Sequence, residues 1–303
     1  MFMNQRIRSL LTIIISAGLS LLAPFGANAA GKAETRRNDS TLQVPGKADD
    51  GVLKIFAIGN SFSVDALEQE FHAICEAAGK DVIVGNMYIG GCSIERHVGN
   101  IADDIADYSY RKIGTDGSRT VTEGATLARM IHDEDWDIIT VQQASHDSGM
   151  PETYAKLGEL VEWIHSQCPD AEIMFHQTWA YAKNSDHWGF ARYGNDQKRM
   201  YKSIMHTVRT QMRRNGISAV IPSGTAVQNA RRTKLGDDLT RDGFHLDYRI
   251  GRYIASATWF EAVTGMSVVG NSYVPENATA EEVGIAQRAA HSAIRRPFRV
   301  SMN

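Results

Sequence analysis

From residue 52 onward the sequence alternates short, apolar, β-rich runs with longer stretches of helical period. This alternation restricts the fold more than any other feature. The runs at 53–58, 82–88, 137–141, 172–177 and 219–221 are apolar at successive positions. A strand reads this way when helices cover both faces of a parallel sheet. Helical patterns lie near 64–79, 123–133, 152–167, 195–214 and 249–264, with a last one near 279–293. Strand–helix alternation of this kind predicts one α/β domain with a doubly wound, mostly parallel sheet. Segment 107–123 departs from it, alternating around Asp116-Gly117, a dipeptide suited to a tight turn. It predicts an inserted β-hairpin after the second strand. Open α/β sheets bind ligands at the carboxyl ends of their strands. The hairpin either shapes that pocket or is peripheral, and the sequence leaves both open.

The 303 residues are 43% hydrophobic and 22% charged, enough for one sizeable core. A net charge of -3 gives no basic footprint and argues against a nucleic-acid partner. The first 29 residues stand apart. Arg6 and Arg8 precede an apolar run over 10–22, and Ala27-Asn28-Ala29 fits a small-x-small cleavage site. A cleavable signal peptide over 1–29 is expected, followed by a polar, aperiodic leader over 30–50. The apolar run is short for a membrane span and ends at Pro24 and Gly26. No stable membrane insertion is expected after cleavage, and the mature chain is expected to be periplasmic or secreted. Cys75, Cys92 and Cys168 allow at most one internal disulfide and form no CxxC pair. They read as small buried apolar residues.

Two short motifs carry the candidate chemistry. Gly59-Asn60-Ser61-Phe62-Ser63 follows the first strand directly. It places the Ser61 hydroxyl at a strand-to-helix turn facing the crevice. A helix cap is the competing role for Ser61 or Ser63, and Ser63 is the better cap candidate. Asp242-Gly-Phe-His245 lies near the C-terminus. An imidazole that takes the serine proton needs a carboxylate on its other nitrogen to fix its tautomer. Asp242 is close enough to provide it, with Asp247 as a weaker substitute. Gly90-Gly91 follows the second strand, where backbone N–H groups can approach an oxyanion. Gln142-Gln143 ends the third strand, and a buried amide there needs a partner. His176, Trp179 and Tyr181 end the fourth strand and are candidates to line a pocket, with His187 and Trp188 in the loop after them. A sugar face suits such aromatics, and core packing competes. Asp103, Asp104 and Asp107 lack ligand spacing and read as a solvated helix face.

In order and spacing these motifs resemble the SGNH (GDSL-type) hydrolase superfamily. Gly59-Asn60-Ser61 matches its first block, Gly90 or Gly91 the glycine of its second, and Asp242 with His245 its last. The resemblance spans most of 52–265. It implies a three-layer α/β/α sandwich of flavodoxin-like type, with residues 51–303 as the hydrolase-like domain. The usual third block, Gly-x-Asn-Asp, is replaced by Gln142-Gln143-Ala144-Ser145. This is similar to the Gln-Gly-Glu-Ser stretch of sialate O-acetylesterase-like members and suggests a divergent branch. By that match Gln142 is the better oxyanion donor and Gln143 the second, beside the N–H groups of Ser61 and Gly90 or Gly91.

The resulting expectation is an exported serine esterase with Ser61 as nucleophile, His245 as base and then acid, and Asp242 as orienter. It needs no metal and no organic cofactor. The expected partner is a small-molecule or glycan ester, foremost an O-acetylated carbohydrate. A lipase or thioesterase on lipid-like acyl chains, and a non-catalytic carbohydrate-binding protein, are the competing expectations.

Overall fold

The computed structural model describes residues 50–302; the expected signal peptide and all but the last leader residue lie outside the described residues. A seven-stranded sheet runs through the domain in the order β4-β3-β2-β1-β5-β6-β7. Its parallel part is β1 (Val52–Gly59), β2 (Asp81–Tyr88), β5 (Ile138–Val141), β6 (Glu172–His176) and β7 (Ala219–Ile221). These are the five apolar runs of the sequence. Ile55, Phe56, Ala57 and Ile58 are buried in succession, which requires cover on both faces of β1.

The helices supply that cover in two packed groups. One contains α1 (Ser61–Leu67), α2 (Phe71–Ala77), α7 (Ser223–Ala230), α8 (Gly251–Thr264) and α9 (Ala280–Arg295). The other contains α3 (Ile94–Ala102), α4 (Leu127–Met130), α5 (Leu157–Gln167) and α6 (Gln197–Arg214), with 3-10 segments at Pro151–Tyr154 and Trp188–Tyr193. The architecture is therefore the three-layer α/β/α sandwich implied by the resemblance. No helix among the described residues is long and apolar enough to cross a membrane.

The hairpin is present as β3 (Tyr108–Ile113) and β4 (Arg119–Ala125), antiparallel at the β2 edge. Its register pairs Tyr88 with Ser109 and Val84 with Ile113. The turn therefore lies at the amino ends of the parallel strands, where His72 Nε2 contacts the Thr115 carbonyl at 3.0 Å. The hairpin widens the sheet, and its turn points away from the crevice.

Two helical expectations change, and two helices were not expected. The 64–79 pattern is two helices that part at Glu68, whose buried carboxylate accepts from Asn86 Nδ2 (2.6 Å) and pairs with Arg111. The 123–133 pattern begins as the end of β4, because pairing with β3 continues to Ala125. Thr126 then caps the single turn of α4. Helix α3 was missed although Ile94, Val98 and Ile101 fall on one helical face. Helix α7 was missed because its residues Ser-Gly-Thr-Ala-Val-Gln-Asn-Ala are all buried, so no polar face alternates with an apolar one. It is held by polar contacts instead. Thr225 Oγ1 lies 2.6 Å from the Pro297 carbonyl and 3.0 Å from Gln177 Oε1, and Asn229 Nδ2 donates to the Ala289 carbonyl. Thr225→Val keeps the shape and removes the hydroxyl. We expect it to destabilise the domain by about 1–3 kcal/mol in urea unfolding, although valine is the more apolar residue. Unchanged stability would show that apolar burial alone holds α7.

Candidate active site

Strand order reverses direction at β1, which has β2 on one side and β5 on the other. The crevice at the carboxyl ends beside such a switch point is where this class of sheet binds ligands. Asn60, the first residue after β1, joins the three strand ends there. Its Nδ2 donates to the Cys92 carbonyl beyond β2 (3.1 Å) and lies 3.5 Å from the Gln143 carbonyl beyond β5. Its Oδ1 accepts from Phe62 N (3.1 Å) and from Gln142 Nε2 (2.7 Å). Asn60 is thus the N-cap of α1, a role asparagine fills well. Ser63 is not the cap; its hydroxyl lies 2.7 Å from the Asn60 carbonyl and 2.9 Å from Asn86 Oδ1. Ser61 is left as the first residue of α1, half-buried at the crevice.

Asp242 and His245 sit at the tip of a narrow loop. Its stem is closed by a Thr240–Leu246 bridge, Arg241 N to the His245 carbonyl (2.9 Å) and Asp247 N to the Leu239 carbonyl (3.0 Å). Asp242 Oδ1 accepts from the backbone N–H groups of Phe244 and His245, and Asp242 Oδ2 from His245 Nδ1 at 2.6 Å. His245 Nε2 lies 2.8 Å from Ser61 Oγ. With Nδ1–H given to the carboxylate, Nε2 is the acceptor that faces the hydroxyl. Asp247 is not the orienter; its Oδ1 accepts from the N–H groups of Arg249, Ile250 and Gly251 at the start of α8.

The loop is positioned from two directions. From α1, Asp65 has no exposed surface and accepts from Leu246 N (2.8 Å), from Arg241 (3.0 Å) and from Arg252 on α8 (2.8–2.9 Å). From beyond β6, Trp179 Nε1 donates to the Phe244 carbonyl and Ala182 N to the Gly243 carbonyl, each at 2.7 Å. Gly243 has φ +86, and a Cβ there would lie 2.8 Å from Ser185 Cα, so this contact needs glycine twice over. The Asn60 network, Asp65 and the two arginines were missed as site residues in the sequence. Asn60 had a local signal, as a preferred cap between strand and helix. Asp65 and its arginines are separated by more than 170 residues, and no spacing links them.

The other expected site residues divide. Gly90 and Gly91 form an exposed turn closed by Cys92 N to the Ile89 carbonyl. Gln142 is buried, gives one amide hydrogen to Asn60 and accepts from His176 Nδ1 (2.7 Å), and these two contacts do not use its second amide hydrogen. Gln143 is not available as an oxyanion donor: its Nε2 donates to the Thr153 carbonyl and hydroxyl, and its Oε1 accepts from Ile94 N and Ala144 N. His176, Trp179 and Tyr181 do not line an open pocket; all three are fully buried. The chain turns inward after β6 so that Trp179 stacks on Phe62 (4.1 Å, 15°), Tyr181 meets Ser145 Oγ (2.8 Å) and His176 joins Gln142 to Ser223 (3.1 Å). The aromatic that reaches solvent is Trp188, 66% exposed. Asp107 pairs with Arg96, and Cys75 and Cys92 are buried thiols, Cys92 pushed up to about 12 by burial.

A family model described as a domain of unknown function, DUF4886, matches residues 54–293. A solved DUF4886 family protein from Bacteroides uniformis is 49% identical, over 82% of this chain and 97% of that one, with a TM-score of 0.81. The chain belongs to the DUF4886 family. More remote is a lipase/acylhydrolase from Enterococcus faecalis, 14% identical over 70% of this chain and 96% of that one, with a TM-score of 0.48. An acetyl-xylooligosaccharide esterase variant from Geobacillus is 12% identical over 71% of this chain and 95% of that one, with a TM-score of 0.46. No curated protein matches the sequence. At this distance the last two structures carry no weight for chemistry, which in this DUF4886 chain rests on its own geometry.

Electrostatics of the DUF4886 site follow burial. Burial works against ionisation of Asp242, but the hydrogen bonds from the His245 ring and from the His245 and Phe244 backbones outweigh it and hold the carboxyl below its ordinary value. His176, beneath the site, and His97 are completely buried, and burial pushes each from 6.5 down to about 3. Between those values the unfolded chain binds more protons than the folded one, so stability is lost as pH falls through the window. We expect the melting temperature to fall on acidification below pH 6.5, and to fall less steeply in His176→Gln, which has no ring to protonate. An identical slope in the variant would contradict this account of His176.

Proposed function

We propose that this chain is an exported serine ester hydrolase that removes an O-acyl group, acetyl foremost, from a carbohydrate. One observation carries the reading: the unbroken line from Asp242 Oδ2 through His245 to Ser61 Oγ, with contacts of 2.6 and 2.8 Å. A binding protein gains nothing from this arrangement, whereas acyl transfer needs each contact.

In the proposed reaction His245 Nε2 takes the Ser61 proton as Oγ attacks the ester carbonyl. Asp242 steadies the imidazolium that forms. The oxyanion is held by the N–H groups of Ser61 and of Gly91 or Gly90, with the second amide hydrogen of Gln142 as a further donor. Collapse passes the proton from His245 to the leaving alcohol and leaves an acyl-Ser61 ester. Water, activated by the same imidazole, then releases the acid. The residues present supply nucleophile, base and charge stabilisation without a metal or cofactor.

The carbohydrate assignment is supported by the exposed Trp188 beside the imidazoles of His146 and His187, and by the expected signal peptide, which would deliver the enzyme outside the cytoplasm. Two cavities, one lined by His132, Trp136 and Cys168 and one by Glu68, Arg111 and Val121, touch neither Ser61 nor His245.

The test is hydrolysis of p-nitrophenyl esters of increasing acyl length by the mature chain. We expect acetate to be preferred, Ser61→Ala to lose turnover, and Asp242→Asn to fall less far than Ser61→Ala. Preference for long chains would move the reading to a lipase or thioesterase. Turnover that persists in Ser61→Ala would refute the serine mechanism.

A further inference from the structure

Trp188 is the one large aromatic side chain of the β6-to-α6 connection that stands in solvent, and it is nevertheless held in place. Its ring lies 4.7 Å from His146 and 5.5 Å from His187, the latter stacked at 27°. His187 Nδ1 accepts from Gly189 N at 3.0 Å, which fixes its neutral tautomer with Nε2–H as a donor. Gly189 lets the segment lie against His146: a Cβ there would fall 2.3 Å from His146 Cβ. The exposed indole is therefore preorganised, and an exposed tryptophan that packing does not require marks a surface for recognition.

The ledge is continuous with the candidate site. The His187 ring meets Phe244 edge-on at 4.7 Å, and Phe244 meets His245 at 4.1 Å. Sheet order sets the side of the nucleophile on which it lies. Gly90 and Gly91 follow β2, on one flank of β1, whereas His146 follows β5 and Trp188 follows β6, on the other. The glycine donors thus lie on the β2 flank and the ledge on the His245 flank; Gln142 follows β5, between β1 and β6 in the sheet. In ester cleavage the imidazole must hand its proton to the departing oxygen, so the alcohol leaves on the His245 side.

We infer that Trp188, with His146 and His187, forms a subsite for the alcohol half of the ester, and that this alcohol is an uncharged sugar ring. The inference rests on the esterase reading for the direction of departure, but not for the binding surface. An indole face takes the C–H face of a pyranose, while neutral imidazoles at its edge hydrogen-bond hydroxyls. Burial holds His146 and His187 below their ordinary values, which favours uncharged rings on the ledge, and the nearby Arg192 is paired with Asp147.

Binding is tested apart from turnover. Calorimetric titration of an acetylated methyl glucoside into the Ser61→Ala protein should show binding that is about tenfold weaker in Ser61→Ala/Trp188→Ala and largely kept in Ser61→Ala/Trp188→Phe. With wild-type Ser61, Trp188→Ala should raise KM for that glucoside about tenfold and change kcat/KM for ethyl acetate, whose alcohol is too small to reach the ledge, less than twofold. No binding of the glucoside, or equal binding with and without the indole, would overturn the subsite. So would an equal loss on both esters, or a loss confined to p-nitrophenyl octanoate, which would make the ledge an acyl-chain surface. Failure of the esterase reading is separate: sugar binding that depends on Trp188 without Ser61-dependent turnover would keep the ledge and remove the chemistry.

Discussion

Two guanidinium groups and a backbone amide converge on Asp65, a carboxylate buried on the helix that begins with Ser61. The site depends on this clasp. Ser61 and His245 are 184 residues apart in sequence, and Asp65 ties the His245 loop to the helix that begins with Ser61 on both sides of His245. Arg241 holds the strand of the loop before Asp242, and Leu246 N the strand after His245. Such a buried cluster contributes little net stability compared with apolar packing, but removing one member leaves charge without a partner, at a cost of about 3–5 kcal/mol. Its value is geometric: the 2.8 Å contact between Ser61 and His245 is set by groups that do no chemistry.

A second buried layer fixes the Ser61 turn from below. Ser223, His176, Gln142 and Asn60 form a hydrogen-bonded line from the start of α7 to the cap of α1. Every member is almost fully buried, so each polar atom must find a partner inside the protein. A neutral His176 suits this line, because it donates through Nδ1 and accepts through Nε2 at once. Above the line, Trp179 stacks on Phe62 and reaches the Phe244 carbonyl, so an aromatic expected to touch substrate instead braces the loop that carries His245.

The sequence made legible what depends on local pattern. Five apolar runs became five parallel strands, and Asp116-Gly117 marked a real hairpin, because strand burial and turn chemistry are written in neighbouring residues. Ser61, Asp242 and His245, which the fold brings into contact, could be singled out as candidates because each stands at a strand end or loop of characteristic composition. What failed depended on tertiary context. Helix α7 is buried on all sides and has no period to detect. Gln143, Trp179 and Tyr181 looked available for substrate until the chain beyond β5 and β6 proved to fold inward and consume them. Asp65 was invisible because its three partners come from 241–252. Trp188 was named with His187 as a candidate to line the pocket; its exposure appears once the segment is folded against His146.

The account stands or falls on whether His245 makes Ser61 a nucleophile. The most direct measurement is peptide mapping by mass spectrometry after treatment with a fluorophosphonate, which reacts with activated serines. The account predicts one adduct, on the peptide carrying Ser61, formed in the wild-type protein and lost in His245→Ala. An unmodified Ser61, or labelling that is equally fast without His245, would contradict it.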